Sequence, residues 1–142
     1  MEIQVLFSEN YNEKYKRKNH NVGISIWHLQ WCTKYRYKMF LQQKLRSFCE
    51  IAIKECCSKN KIEIIALNVQ ADHVHIVVSL PRGMSDAKAL QLLKGFTSFL
   101  LFRLVPDFRK RYPNGSLWAP SSFSTTVGYI ELETVIDYVK NQ

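Results

Sequence analysis

Residues 62–80 constrain the fold most. "IEIIALNVQ" (62–70) and "HVHIVVSL" (73–80) are two runs rich in β-branched residues, and only Ala71 and Asp72 separate them. Such runs favour extended backbone, and a two-residue connection makes an antiparallel hairpin the simplest arrangement. A hairpin this apolar must be covered by other elements.

The flanking patterns supply the cover. Leu41, Leu45, Phe48, Cys49, Ala52 and Cys56 fall at helical spacing, which predicts a helix over about 40–58. "PRGMSD" interrupts the pattern after the hairpin, with Ser85 or Asp86 as a cap. A second helix is expected over about 86–104, with Ala89, Leu92, Leu93, Phe96, Phe99 and Leu100 on one face. "NVGISIWHLQWCTKY" (21–35) reads as a long first strand and "FSTTVGYI" (123–130) as a fourth. The stretch "PDFRKRYPNGSLWAPSS" between them reads as a basic loop, and "ELETVIDYVKNQ" as a closing helix.

The order is β-α-β-β-α-β-α. Its first six elements match the split βαβ arrangement, an α+β fold that is ferredoxin-like or RRM-like. Four antiparallel strands would carry two helices on one face, with the first and third strands central. The chain of 142 residues suits one domain over 1–142, with a polar basic arm over 1–20. The opening residues lack a basic region followed by an apolar core, so no secretory signal is expected. No apolar run is long enough to span a bilayer, and the expected location is the cytoplasm.

Side chains alternate along a strand. His73 and His75 therefore share one face of the hairpin's second strand, and Val74, Ile76 and Val78 the other. The apolar set belongs under the helices, which leaves both imidazoles on the open face. Two same-face neighbours can hold one ion, but a His-x-His pair alone is a weak signal. The closing helix carries an apolar stripe of Leu132, Val135, Ile136 and Val139. Tyr138 and Gln142 lie roughly 40° apart on one flank of that stripe. They either face a shared site or are a boundary tyrosine and a terminal glutamine.

The formal charge of +8 favours a polyanionic partner. "KYKRK" (14–18), "KYRYK" (34–38) and "RKRY" (109–112) interleave cations with tyrosines. That mixture suits phosphate contacts and base stacking, and equally a solvated basic face. Cys32, Cys49, Cys56 and Cys57 form no CxxC pair, so neither a disulfide framework nor a zinc ribbon is expected.

"HLQWCTKYRYK", "ADHVHIVVSL", "LKGFTS", the Trp118 region with "FSTTVG", and "VIDYVKNQ" occur in this order. Together they resemble the HUH-type single-strand tyrosine transposases of small prokaryotic insertion sequences, the IS200-like TnpA family. The resemblance runs from about Val22 to Gln142. It implies that His73 and His75 are metal ligands, that Tyr138 is the nucleophile, and that Gln142 is the third protein ligand. It implies Mg²⁺ or Mn²⁺, a homodimer with sheets joined edge to edge in which the tyrosine helix of one subunit can complete the metal site of the other, and single-stranded DNA with a hairpin near the element end. The expected reaction cleaves and rejoins that strand through a 5′-phosphotyrosine.

Lys34, Arg36 and Lys38 would alternate at the end of the first strand and grip DNA, with Arg109, Lys110 and Arg111 as further contacts. Lys94 either reaches phosphate or lies on the wet side of its helix. His28 reads as a hydrogen-bonded core histidine or a support for the pair, Asp72 as a turn former or an orienting carboxylate. Tyr129 is a rival nucleophile without a glutamine one turn later. The alternatives are a rolling-circle initiator, a domesticated or inactive relative, a ferredoxin-like nucleic-acid-binding module without catalysis, and a hydrolase using activated water.

Overall fold

A computed structural model describes residues 25–141. The arm over 1–20 and Gln142 lie outside the described residues. β1 is Ser25–Thr33, followed by a 3-10 turn over Lys34–Arg36. α1 is Gln43–Lys59, β2 Glu63–Val69 and β3 His73–Leu80. α2 is Asp86–Leu104, the short α3 Phe108–Arg111, β4 Trp118–Thr126 and α4 Leu132–Lys140. The sheet order is β2-β3-β1-β4 and every pairing is antiparallel. This is the expected ferredoxin-like arrangement, with β1 and β3 central.

The hairpin closes as read from the sequence. Gln70 N donates to His73 O at 2.8 Å across Ala71 and Asp72. Of the two candidate caps, Ser85 is the one used, its hydroxyl accepting from Lys88 N at 3.0 Å. That satisfies one of the amides a helix start leaves unpaired.

The two sheet faces bury different sets. Leu29, Trp31, Leu67, Val74, Ile76 and Val78 pack under α1 and α2, against Cys49, Ile53, Leu93 and Leu101. On the other face Ile26, Ile65, Ala66 and Val77 pack against Leu132, Ile136 and Val139 of α4. The α4 stripe thus covers one end of the open face, and farther along it Gln30, Cys32 and His73 stay partly accessible. Cys49, Cys56 and Cys57 are free and buried, serving as small apolar groups.

Three boundaries differ from the sequence expectation. β1 ends at Thr33, because Tyr35 (φ 62°) and Arg36 (φ 54°) are left-handed and cannot continue a strand. Lys34, Arg36 and Lys38 therefore do not alternate on a strand face. β4 starts at Trp118 and ends at Thr126, five residues early at its start, because Trp118 is drawn into the core and pairs with Thr33. Its Pro120 is tolerated since β4 is an edge strand. The basic loop also contains α3, whose Phe108 is buried against Phe40. No described helix is long and apolar enough to cross a membrane.

Candidate active site

The register assembles the open face. His28 lies opposite Val77, Gln30 opposite His75, and Cys32 opposite His73. Asn68 of β2 lies opposite His75 on its other side. Directly opposed residues share a face, so these polar side chains form one cluster at the centre of the sheet.

The two imidazoles are held differently. His73 Nδ1 is 2.7 Å from Asp72 Oδ1, and Asp72 Oδ2 accepts from Arg36 Nε at 3.2 Å. His75 Nδ1 is 3.2 Å from His28 Nε2, and their rings stack with centroids 5.5 Å apart. In each case Nδ1 is engaged, and Nε2 is the nitrogen available to a ligand. The His73 and His75 rings meet edge to face at 4.9 Å. Asp72 therefore orients a histidine as well as turning the hairpin. His28 is buried and hydrogen-bonded, and its partner is one of the pair itself.

Electrostatics keep His75 ready to donate. Burial, with the neighbouring His73 and His28, pulls His75 down to about 4. Burial also lowers His28. Partial burial pushes Asp72 upward, but hydrogen bonds from His73 and Arg36 and their charges outweigh it, so the carboxyl titrates below its usual range. At neutral pH His75 is neutral and Asp72 ionised, the states that suit metal ligation and its support.

α4 brings Tyr138 to this cluster. Its ring lies 6.0 Å from those of both His28 and His75, edge-on to each, and remains half exposed. The apolar stripe seats the helix, and Asn68 fastens it by donating from Nδ2 to Val139 O at 2.9 Å. Asn68 is fully buried, and sequence reasoning missed it. The available signal was a polar residue within "IIALNV", at a position that alternation assigns to the histidine face. The rival Tyr129 precedes α4, in the connection from β4. The order of contacts brings His73, His75 and Tyr138 together. Among the described residues no three His, Cys, Asp or Glu side chains form a metal-binding group, so the imidazoles offer two ligands.

A groove of about 340 Å³ adjoins the cluster, lined by Gln30, Cys32, Ser121, Ser122 and Phe123. Phe123 stands edge-on to His28 at 5.7 Å.

The basic candidates divide. Lys38 is exposed and Lys110 pairs with Asp107 at 3.4 Å on the surface. Arg109 is engaged internally: its guanidinium lies 3.7 Å from the Phe102 ring centroid and donates to Tyr112 O and Gly115 O. Arg111 covers the Tyr37 ring at 3.9 Å. Arg36 holds Asp72. Lys94 donates to Ala119 O at 2.7 Å, Pro120 O and Ser122 Oγ, so it fastens β4 to α2.

The family profile described as "Transposase IS200 like" matches residues 21–142. The chain belongs to the IS200-like transposase family. It is 31% identical over 116 residues to the transposase for insertion sequence element IS200 of Salmonella typhimurium, covering 82% of this chain and 75% of that one. It is 27% identical over 116 residues to the ISDra2 transposase TnpA of Deinococcus radiodurans, covering 82% of each. A crystal structure from Deinococcus radiodurans R1, assigned as a transposase, superposes with a TM-score of 0.69 at 26% identity, covering 85% of this chain and 92% of that one. A REP-associated tyrosine transposase bound to a REP hairpin shares the fold, with a TM-score of 0.60 at 16% identity, covering 81% and 64%. For an IS200-like transposase the polyanion expected from the charge is DNA.

Proposed function

We propose that this IS200-like transposase cleaves and rejoins single-stranded DNA through a covalent bond to Tyr138, with Mg²⁺ or Mn²⁺ held by His73 and His75. The observation that carries the reading is the placement of the Tyr138 ring against the His28–His75 pair. Nδ1 of each imidazole is engaged, by Asp72 for His73 and by His28 for His75, which leaves Nε2 as the nitrogen that could ligate a divalent ion. Gln142, four residues after Tyr138 in the sequence, is the candidate for an added amide oxygen. When bound, the ion polarises a non-bridging phosphate oxygen and offsets its charge.

The chain's own groups do the rest. The groove floored by Gln30 and Cys32 receives the strand. Tyr138 Oη attacks phosphorus, and the bond from phosphorus to the 3′ oxygen breaks. The phenolic proton leaves Tyr138 and a proton ends on the departing 3′ oxygen, giving a 5′-phosphotyrosine and a free 3′-OH. Attack by another 3′-OH reverses the step and joins strands, with bond energy conserved in the tyrosyl ester. Lys34, Lys38, Lys110 and Arg111 present cations for the backbone, while Arg36 and Arg109 contribute through Asp72 and the 112–115 loop. A second copy joins at a sheet edge, where β2 and β4 are the outer strands.

End-labelled single-stranded DNA carrying the element end, incubated with Mn²⁺ and run on a denaturing gel, tests this. A protein–DNA adduct is expected from the wild type and none from Tyr138→Phe. Cleavage without an adduct would favour hydrolysis by water.

A further inference from the structure

The loop after β1 holds its backbone in an unusual state. Tyr35 (φ 62°, ψ 10°) and Arg36 (φ 54°) are consecutive left-handed residues, a conformation L side chains rarely adopt. Surrounding bonds impose it. Tyr112 Oη donates to Lys34 O at 2.6 Å, Lys34 N donates to Leu117 O at 2.9 Å, and Arg36 is tied to Asp72. The turn itself would be served with less strain by glycine. Instead it projects a tyrosine that is 71% exposed.

One flat side of that ring is backed by Tyr112, nearly parallel at 16° with centroids 6.3 Å apart. Tyr37 packs 5.5 Å from Tyr35 and 5.4 Å from Tyr112. Cations surround the cluster: Lys34 Nζ lies 6.0 Å from the Tyr35 centroid, and Arg111 covers Tyr37. A cavity of about 230 Å³ opens here, lined by Lys34, Tyr35, Arg111, Tyr112, Pro113 and Asn114. An exposed aromatic ring stacked on Tyr112 and flanked by Lys34, with Arg111 lining the same cavity, suits a base with its phosphate. The location is also informative. Cys32 pairs with His73, Lys34 follows two residues on, and Arg36 reaches the carboxylate that holds His73.

We propose that this pocket binds one unpaired nucleotide of the DNA strand, its base stacked on Tyr35 and its phosphate between Lys34 and Arg111, at the His73 end of the sheet. The proposal rests on the reading of the chain as acting on single-stranded DNA.

The test uses the full chain as Tyr35→Gly and Tyr35→Phe variants. Fluorescence anisotropy is read on an unstructured single-stranded oligonucleotide and on a blunt hairpin. Tyr35→Gly removes the ring and the strain together, so its thermal midpoint should not fall. Its affinity for the single strand should drop about tenfold, with Tyr35→Phe close to wild type. Abasic substitution along the strand should find one position that weakens wild type but not Tyr35→Gly. The proposal is overturned if Tyr35→Gly binds the single strand as wild type does, or loses blunt-hairpin affinity by the same factor. In those cases adduct formation by the wild type would leave the function above standing. Wild type that retains no single-stranded DNA would overturn both.

Discussion

His28 Nε2 lies 3.2 Å from His75 Nδ1, so one strand of the central pair fixes the orientation of an imidazole on the other. With His75 Nδ1–H donating to His28, the His75 Nε2 lone pair points outward. His28→Phe keeps the ring volume and removes the acceptor. Metal affinity should fall on the order of 10- to 100-fold while the fold persists. Mn²⁺ titration followed by electron paramagnetic resonance, beside a far-UV spectrum, would show it. Unchanged affinity would reduce His28 to a packing role.

Asn68 and Val139 form the second relationship that builds the site. Asn68→Leu deletes the hydrogen bond and leaves a helix carbonyl unpaired, at a cost of about 1–3 kcal/mol. The urea midpoint should fall accordingly. Adduct formation should fall further than the small unfolded fraction explains, because the helix seating Tyr138 loses its clasp. Equal adduct rates under folded conditions would mean that the apolar stripe alone positions α4.

The metal-free protein should weaken in mild acid. His75 titrates at about 4 when folded and near 6.5 when unfolded, and His28 is shifted in the same direction. Between those values the unfolded chain binds protons that the folded chain refuses. Stability is therefore fully present above pH 6.5 and is lost as pH falls toward 4, by at most about 1.4 kcal/mol per pH unit for each group. Asp72, whose folded titration is lowered, adds a loss in the same direction at still lower pH. Urea unfolding at pH 7 and pH 5 in chelator would reveal the slope, and His75→Gln should flatten it.

Tyr138 meets the imidazoles of its own chain. Mixing Tyr138→Phe with His75→Ala protein should therefore not restore adduct formation, since every active site keeps one defect. Restored activity in the mixture would require helices exchanged between copies.

The parts of this site that follow local periodicity were legible in the sequence. Strand alternation put His73 and His75 on the open face, and the helical stripe put Tyr138 on the flank of α4; both hold. The sheet order followed from the element order. What the sequence hid depends on long-range pairing. The sequence left His28 open between a core histidine and a support for the pair, and only the β1–β3 register, which brings it to His75, decides between them. Asn68 looked like one polar residue in a strand until α4 was placed over it. Lys34–Arg36 reads as strand from its alternation, yet Tyr112, 78 residues from Lys34, captures its carbonyl and turns the chain. Lys94 and Arg109 show the same limit, since a basic residue's backbone carbonyl partners leave no mark in the sequence.

The central claim is that Tyr138 is the residue joined to DNA. Adduct formed with labelled single-stranded DNA can be nuclease-trimmed and digested after glutamate, which separates Tyr129 from Tyr138 at Glu131 and Glu133. Mass spectrometry should find the nucleotide mass on the peptide that begins at Thr134. A nucleotide on the peptide that contains Tyr129, or on neither, would contradict the account.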